Sequence, residues 1–481
     1  MITDQKAIRA LAWSAIDRTC QQLVQLLVGI LLARLLAPDD FGLMGIIMFF
    51  AGVSYTLVEG GLGQAVIKEH KNAHQYYSSV WYMHMAFSLL IYITFFLTAP
   101  LIAKFFHQEH LTQIIRVLFC ALIFNAGYLI QYTQLTIQLN YKAIAYINFI
   151  STILSGIAGI TLAYCNVGVW ALVIQQVSYH FIRLCAFSLH TRWKPQGRFS
   201  TEFIRKYGRF SANLLGTGLL NALFTNLYAF CIGKLYPIKQ TGYYTQAQRQ
   251  NDTIQFTFMS IFNSVSYNLF AQTQHNIHHQ KELFNKIIHK ANLLTIPLFI
   301  ILAAMSPSLF DLLLGAQWIP AIPYFQLLCV SQLFTITDLL CCNLLNARGN
   351  TQLTFRVECL KKGCMLFSLL LLPIGIHYTL IAYIGICWVF TIIWLYLVHK
   401  EITLGVRSIW QDLVPAIAIG CIAGCLIWNI NILIPQATPG WMLTKISIGF
   451  TTYALLTAKV YPHLLHEIKI IIKTLQSNKD E

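Results

Sequence analysis

Leu31-Leu32-Ala33-Arg34-Leu35-Leu36-Ala37-Pro38-Asp39-Asp40-Phe41-Gly42 is the stretch whose reading decides the fold. It is a short polar break between two long apolar runs. Arg34 closes the first run, and Pro38 cannot continue that helix, because it has no N–H and its ring clashes with the preceding turn. Asp39 and Asp40 then stand where a new helix favours acidic residues. A related break recurs about 200 residues later as Ile232-Gly233-Lys234-Leu235-Tyr236-Pro237-Ile238-Lys239-Gln240-Thr241-Gly242-Tyr243. Arg34 aligns with Lys234, Leu35 with Leu235 and Gly42 with Gly242, the proline being displaced by one. Self-similarity at a fixed offset signals a repeat architecture. In membrane transporters it places two halves around a central site.

The composition around these breaks is that of a membrane protein. Of 481 residues, 57% are hydrophobic and 11% charged, against about 25% charged in a soluble chain. The net charge of +15 is explained by sidedness, since cytoplasmic loops collect Lys and Arg. No basic domain stands apart from the apolar runs, so nucleic acid is not expected as a partner. The thirteen cysteines have no C-x-x-C spacing, and Cys341-Cys342 and Cys421…Cys425 lie in apolar runs, where free cysteine acts as a small hydrophobe. No P-loop occurs. His275, His278 and His279 fall in a polar loop without acidic or thiolate partners, so neither a metal nor a cofactor is expected. The first apolar run carries a polar stripe and reads as a retained helix rather than a cleaved signal.

Apolar runs of about 20 residues give fourteen candidate spans, near 11–36, 41–66, 79–103, 114–138, 146–165, 168–190, 208–232, 254–274, 290–313, 322–346, 364–380, 381–398, 412–434 and 441–461. The fold expected is all-α and polytopic, with two pseudo-symmetric six-helix bundles plus two C-terminal helices. The first bundle is 1–190, a basic cytoplasmic link follows at 191–207, and the second bundle is 208–398. Residues 399–461 carry the two extra spans and 462–481 a cytoplasmic tail. Pro373-Ile374-Gly375-Ile376-His377-Tyr378 reads either as a tight turn between two spans or as a kink in one.

With both termini in the cytoplasm, most Lys and Arg fall inside, including Lys68, Lys71, Arg198, Arg356, Lys361, Lys362, Lys469, Lys473 and Lys479. The outer side keeps Arg34, Lys104, Arg116, Lys234, Lys239, Arg249 and Lys445. Outer loops such as Cys165-Asn166-Val167-Gly168 are short.

Polar residues inside spans are costly and face a bundle interior or a wet cavity. Ser14, Asp17, Arg18, Gln21 and Gln25 recur at three- and four-residue spacing, on one face of a helix. Thr253, Thr257, Ser260, Ser264 and Tyr267 make a second stripe, and Ser331, Thr335, Asp338, Cys342 and Asn346 a third. Asn213, Thr217 and Asn221 follow at four-residue intervals. Together they suggest a hydrated cavity, although any single Ser or Thr also serves as interhelical glue. Glu59, just before Gly60-Gly61, and Asp338, deep in its span, are the candidates to bind a coupling ion or proton; either could instead pair with a nearby cation. Arg34, Arg116, Lys234 and Arg249 form a sparse cationic set at the outer helix ends, suited to a phosphate or to plain interface anchoring. Arg18, Gln21, Gln25, Arg34, Asn213, Lys234 and Arg249 are the candidate substrate-binding residues.

The opening break, Gly242-Tyr243-Tyr244-Thr245-Gln246-Ala247, Leu314-Gly315-Ala316-Gln317-Trp318-Ile319-Pro320-Ala321, and Asn346-Ala347-Arg348-Gly349-Asn350 followed by Lys361-Lys362 resemble the polysaccharide-transporter family. These are the O-antigen and exopolysaccharide flippases of the multidrug/oligosaccharidyl-lipid/polysaccharide exporter superfamily, and the branch most similar is that of lipopolysaccharide and colanic or teichuronic acid export. The resemblance implies a bacterial inner-membrane flippase, not an enzyme, that moves an undecaprenyl-diphosphate-linked oligosaccharide to the periplasmic leaflet by alternating access, coupled to an ion gradient. It implies a lipid-linked oligosaccharide and the bilayer as partners, with a polysaccharide polymerase and chain-length machinery nearby. Two alternatives stay open. A drug or cation antiporter of the same superfamily would need an aromatic, acidic cavity. An O-antigen polymerase or ligase would need a large outer loop, which this sequence lacks.

Overall fold

The computed structural model describes residues 4–69, 73–196, 199–403, 406–433 and 439–460. Lys71, Arg198 and the expected tail with Lys469, Lys473 and Lys479 lie outside them, as does the side chain of Ser264. Every regular element among the described residues is helical. In chain order these are α1 (Asp4–Leu35), α2 (Pro38–Glu59), α3 (Leu62–Glu69), α4 (Ala73–Phe106), α5 (Leu111–Leu118), α6 (Cys120–Ile137), α7 (Tyr141–Tyr164), α8 (Trp170–Thr191) and α9 (Glu202–Leu235). They continue as α10 (Ile238–Gln272), α11 (Ile277–Leu313), α12 (Ile322–Ser331), α13 (Thr335–Ala347), α14 (Thr351–Ser368), α15 (Ile376–Ile402), α16 (Val406–Leu433) and α17 (Pro439–Val460). Nine stretches among the described residues are long and apolar enough to cross a membrane. On α4, Leu90, Leu97 and Leu101 are each more than 60% exposed, a surface suited to lipid and not to water.

The two breaks are built alike. In the first, Leu36 N–H donates to Leu32 O at 2.9 Å and Asp40 N–H to Ala37 O at 3.1 Å. In the second, Tyr236 N–H donates to Ile232 O at 2.8 Å and Gln240 N–H to Pro237 O at 2.9 Å. These are the same bonds displaced by 200 residues. Pro38 is the first residue of α2, and the Asp40 carboxylate reaches back to accept the Ala37 N–H at 3.0 Å, so one orphan donor is satisfied by the acidic first turn. The breaks also touch each other reciprocally. A Cβ on Gly42 would overlap the carbonyl of Ile238, and one on Gly242 would overlap the carbonyl of Pro38. Glycine is required at both, because backbone meets backbone.

Contacts divide the chain into two compact units, residues 1–245 and 246–481. In the first, α1 lies on α7, α7 on α8, α6 on α4 and α8, and α2 runs along α9. The pairing of α2 with α9 carries this unit past the basic link at 191–207. That link is itself pinned to the start of α4. Ser78 Oγ donates to Gln196 O at 2.7 Å and accepts from Gln196 N at 2.9 Å, while Ser79 Oγ accepts from Ser200 N at 2.9 Å. In the second unit α11 lies along α16, and α12 and α13 pack on α15. Gly420 and Gly424 of α16 bring its backbone against Pro297 and Ile300 of α11, the close approach that small-xxx-small spacing permits.

The span expected at 322–346 falls within Ala316–Ala347, one of the stretches long and apolar enough to cross a membrane, but its helix is broken: α12 ends at Ser331 and α13 starts at Thr335, with Thr335 Oγ1 bonded to Gln332 Oε1 at 2.5 Å. Ser331 therefore does not share one helix face with Asp338 and Asn346. The span placed at 364–380 starts earlier, as α14 from Thr351, and the chain turns through Leu372–Gly375 before α15. The stretch around Pro373 is thus a turn between two helices. Arg356, Lys361 and Lys362, expected in a cytoplasmic loop, lie within α14.

Candidate functional site

The first unit carries a half-open cavity of about 400 Å³, formed where α2 stops, with polar side chains set among Ile67, Leu129, Leu214 and Leu215. Gly60 (φ 53°) and Gly61 (φ 68°) take left-handed conformations that end α2 in a glycine cap, with Gly60 N–H donating to Thr56 O at 3.0 Å. The cap leaves Glu59 at the corner, exposed on the cavity wall. Thr56 joins it from α2, Gln64 from α3 and His84 from α4. Tyr132 and Thr133 line the cavity from α6, and Thr217 and Asn221 from α9. Three of these hydroxyls donate to their own helices: Thr56 to Gly52 O at 2.9 Å, Thr133 to Leu129 O at 2.9 Å and Thr217 to Asn213 O at 3.1 Å. Their oxygens remain as acceptors. His84 is fully buried beside the Glu59 backbone, with both ring nitrogens lacking a well-formed hydrogen bond. Among the described residues no Lys or Arg lines the cavity.

A buried cation acts on this carboxylate from α8. Arg183 Nη1 donates to the Tyr128 hydroxyl at 3.0 Å, and that hydroxyl lies 3.0 Å from His180 Nδ1. The guanidinium lies over the rings of Tyr128, Tyr179 and Phe187 at 4.6, 5.3 and 5.6 Å. Its charge is felt both by Glu59 and by Asp17 of α1. Asp17 accepts from Gln21 Nε2 at 2.7 Å and from Asn148 Nδ2 of α7 at 3.1 Å. Sequence reading overlooked Arg183, His180 and His84. The signal was present: Arg183 is a full charge inside an apolar run, three residues after His180.

The structure scatters the other candidates. Arg18 and Gln25 are exposed on α1, whereas Gln21 is held by Asp17. Asn213 is exposed one turn from Thr217, and the other two members of the series, Thr217 and Asn221, line the cavity. Arg34 is exposed in the last turn of α1. Lys234 Nζ donates to Phe105 O at 2.5 Å and lies 4.1 Å from the Phe105 ring. It thereby caps the C-terminal end of α4, where carbonyls have no helical partner. Arg116 serves the interior of α4 instead, with Nε 3.3 Å from Phe96 O, the carbonyl that Pro100 leaves without a helical donor, and its guanidinium over the Phe96 ring. Arg249, expected at an outer helix end, lies three turns inside α10.

In the second unit Asp338 has a cation of its own. Lys361 Nζ of α14 lies 2.8 Å from Asp338 Oδ2, and Thr391 Oγ1 of α15 donates to Oδ1 at 2.7 Å. Both charged side chains are mostly buried. This ties α13, α14 and α15 together and explains how a lysine is tolerated in the middle of α14. Nearby, Arg348 bonds Glu401 Oε2 at 3.2 Å and Gln280 Oε1 at 2.9 Å, while Asn350 Nδ2 reaches Glu401 Oε1 at 2.6 Å. The Asn346–Asn350 motif is therefore a clamp on the end of α15.

An all-helical bundle with lipid-suited faces, interior charges and a polar cavity defines a multi-pass membrane protein of transporter type. The family described as polysaccharide biosynthesis protein matches residues 31–323, and the chain belongs to that family. It is 23% identical over 327 residues to the succinoglycan biosynthesis transport protein ExoT of Rhizobium meliloti, a match covering 67% of this chain and 66% of that one. It is 23% identical to the teichuronic acid biosynthesis protein TuaB of Bacillus subtilis, over 94% of this chain and 95% of the other. The fold is similar to that of the lipid II flippase MurJ in an inward closed conformation, with a TM-score of 0.73 and 14% identity over 95% of this chain and 100% of that one.

Proposed function

We propose that this chain is a flippase of bacterial inner membranes, not an enzyme, which moves an undecaprenyl-diphosphate-linked oligosaccharide from the cytoplasmic to the periplasmic leaflet. The observation that carries the reading is the cavity at Glu59, where Thr56, Gln64, His84, Tyr132, Thr133, Thr217 and Asn221 bring hydrogen-bonding groups to one chamber among apolar side chains. Membership of a polysaccharide-biosynthesis family and a relative named as a succinoglycan biosynthesis transport protein support it. A sugar head cannot cross about 30 Å of hydrocarbon unaided. A polar chamber shelters the head while the polyprenyl tail stays in lipid, and alternating access of two six-helix bundles opens the chamber to each side in turn. Both termini are placed in the cytoplasm on the Lys/Arg bias. A polysaccharide polymerase and its chain-length machinery would take over the cargo.

Coupling to an ion gradient is best assigned to Glu59. Asp338 already holds the Lys361 ammonium and so has less need of a mobile cation. Complementation of a flippase-deficient strain tests the function, with accumulation of lipid-linked oligosaccharide as readout. The wild-type chain should clear the accumulated intermediate. Glu59→Gln should clear it at least tenfold more slowly at equal expression. Failure of well-expressed wild-type protein with a matched cargo would reject the proposal. One observation favours a second reading: a carboxylate and Tyr132 share the cavity, with no Lys or Arg on its wall among the described residues, which suits an organic cation. Efflux of a cationic dye dependent on Glu59 would support that antiporter instead.

A further inference from the structure

We infer that the cavity of the first unit is a subsite for an uncharged sugar ring of the cargo, and that the diphosphate is bound outside it. This rests on the flippase reading and names what that site recognises. Three threonine hydroxyls spend their protons on helix carbonyls and turn only oxygen lone pairs inward. The Glu59 carboxylate adds further acceptors, so the wall is rich in acceptors and short of charged donors. A diphosphate is itself all acceptor and negatively charged. It would meet repulsion here and leave its oxygens unpaired in a low-dielectric setting. A sugar hydroxyl donates one hydrogen bond and accepts others, so a pyranose suits a wall of many acceptors and a few uncharged donors.

The remaining groups fit the same ligand. Gln64 and the fully buried His84, whose ring nitrogens lack well-formed bonds, can serve the ring's acceptors. Tyr132 offers an aromatic face for the C–H side of the ring, with a hydroxyl at its edge. Room is made by glycines. A Cβ on Gly63 would come within 3.0 Å of Thr133 Oγ1, and one on Gly218 within 2.9 Å of Thr56 Cγ2. At about 400 Å³ the cavity is in the range of small-molecule sites.

The experiment is ligand-observed saturation-transfer NMR on the full chain in nanodiscs. The probes are neutral methyl pyranosides at millimolar concentration, inorganic pyrophosphate and tetraphenylphosphonium, each used separately. Thr133→Val, which keeps the side-chain shape, and Gly218→Ala, which narrows the cavity, are the variants. Thermal melting confirms that both remain folded. At least one pyranoside should give saturation transfer, with affinity reduced about five- to tenfold by Thr133→Val and signal lost in Gly218→Ala, while pyrophosphate does not compete. The inference is overturned if folded wild-type protein transfers to no pyranoside, if sugar binding ignores both variants, or if pyrophosphate occupies the site in their place. Sugar binding without complementation would support the subsite while striking the flippase reading. Complementation by wild-type protein that binds no sugar would do the reverse. Binding of the phosphonium alone would overturn both.

Discussion

Gly42 and Gly242 admit no side chain because each faces a backbone carbonyl of the other break, and a carbonyl anchored in a helix start cannot swing aside. Gly242→Ala should therefore lower stability by about 2–3 kcal/mol or prevent folding, read as melting temperature and folded yield in detergent. Gly216→Ala on α9, where a Cβ meets nothing within 4 Å, should be neutral or slightly stabilising by the same measure. Lys361 and Asp338 make a second residue-scale case. Lys361→Met leaves a buried carboxylate without its cation and should cost about 3–5 kcal/mol. Adding Asp338→Asn should recover much of that loss, because no charge is then stranded. If the double variant melts no higher than the single, the pair is not the stabilising unit described here. The ion pair was only half legible beforehand. Asp338 stood out as a charge in an apolar span, but Lys361 read as part of a basic loop, because nothing local marks a lysine whose partner lies on another helix.

The start of α2 was legible because its cap is local, whereas α7, α10 and α11, expected from 146, 254 and 290, start at Tyr141, Ile238 and Ile277, their polar first turns having no apolar signal. The break at Pro38 was readable from the missing N–H of proline and the acidic first turn, and the Asp40–Ala37 bond is the result. Asn140 and Asn276 start α7 and α11 by the same logic, accepting from Ala143 N at 3.2 Å and His279 N at 3.1 Å. Asn140→Ala or Asn276→Ala should each cost about 1 kcal/mol, measurable as a lower melting temperature, with Asn→Asp nearly neutral. The cavity was far less legible. Its wall is gathered from α2, α3, α4, α6 and α9, and of these α9 alone supplies a full helical stripe, Leu214, Leu215, Thr217, Gly218 and Asn221, of which the sequence pattern showed Thr217 and Asn221. Of the stripe on α1, Asp17 and Gln21 are taken up in a network with Asn148, and Arg18 and Gln25 are exposed. Arg183 escaped because its neighbours in space, Tyr128 and Glu59, lie 55 and more than 100 residues away.

For the whole molecule, the sidedness argued from Lys and Arg has a direct test. Cys165 is exposed at the turn between α7 and α8, on the side assigned to the periplasm. In a variant keeping only this cysteine, a membrane-impermeant maleimide should label intact spheroplasts. Labelling only after lysis would reverse the orientation. The crossing of the two breaks bears on ancestry. When residue i meets j + 200 while i + 200 meets j, the contact has the form a twofold axis imposes on two identical chains. A position on such an axis meets its own copy. Gly42 meets Gly242 in this way, and so does Gly45, where a Cβ would overlap the hydroxyl of Thr245, its counterpart 200 residues on. Two threonines there would collide. A pair of identical half-length chains must carry the same residue on both sides of such a contact, whereas a single fused chain can set glycine on one side and threonine on the other.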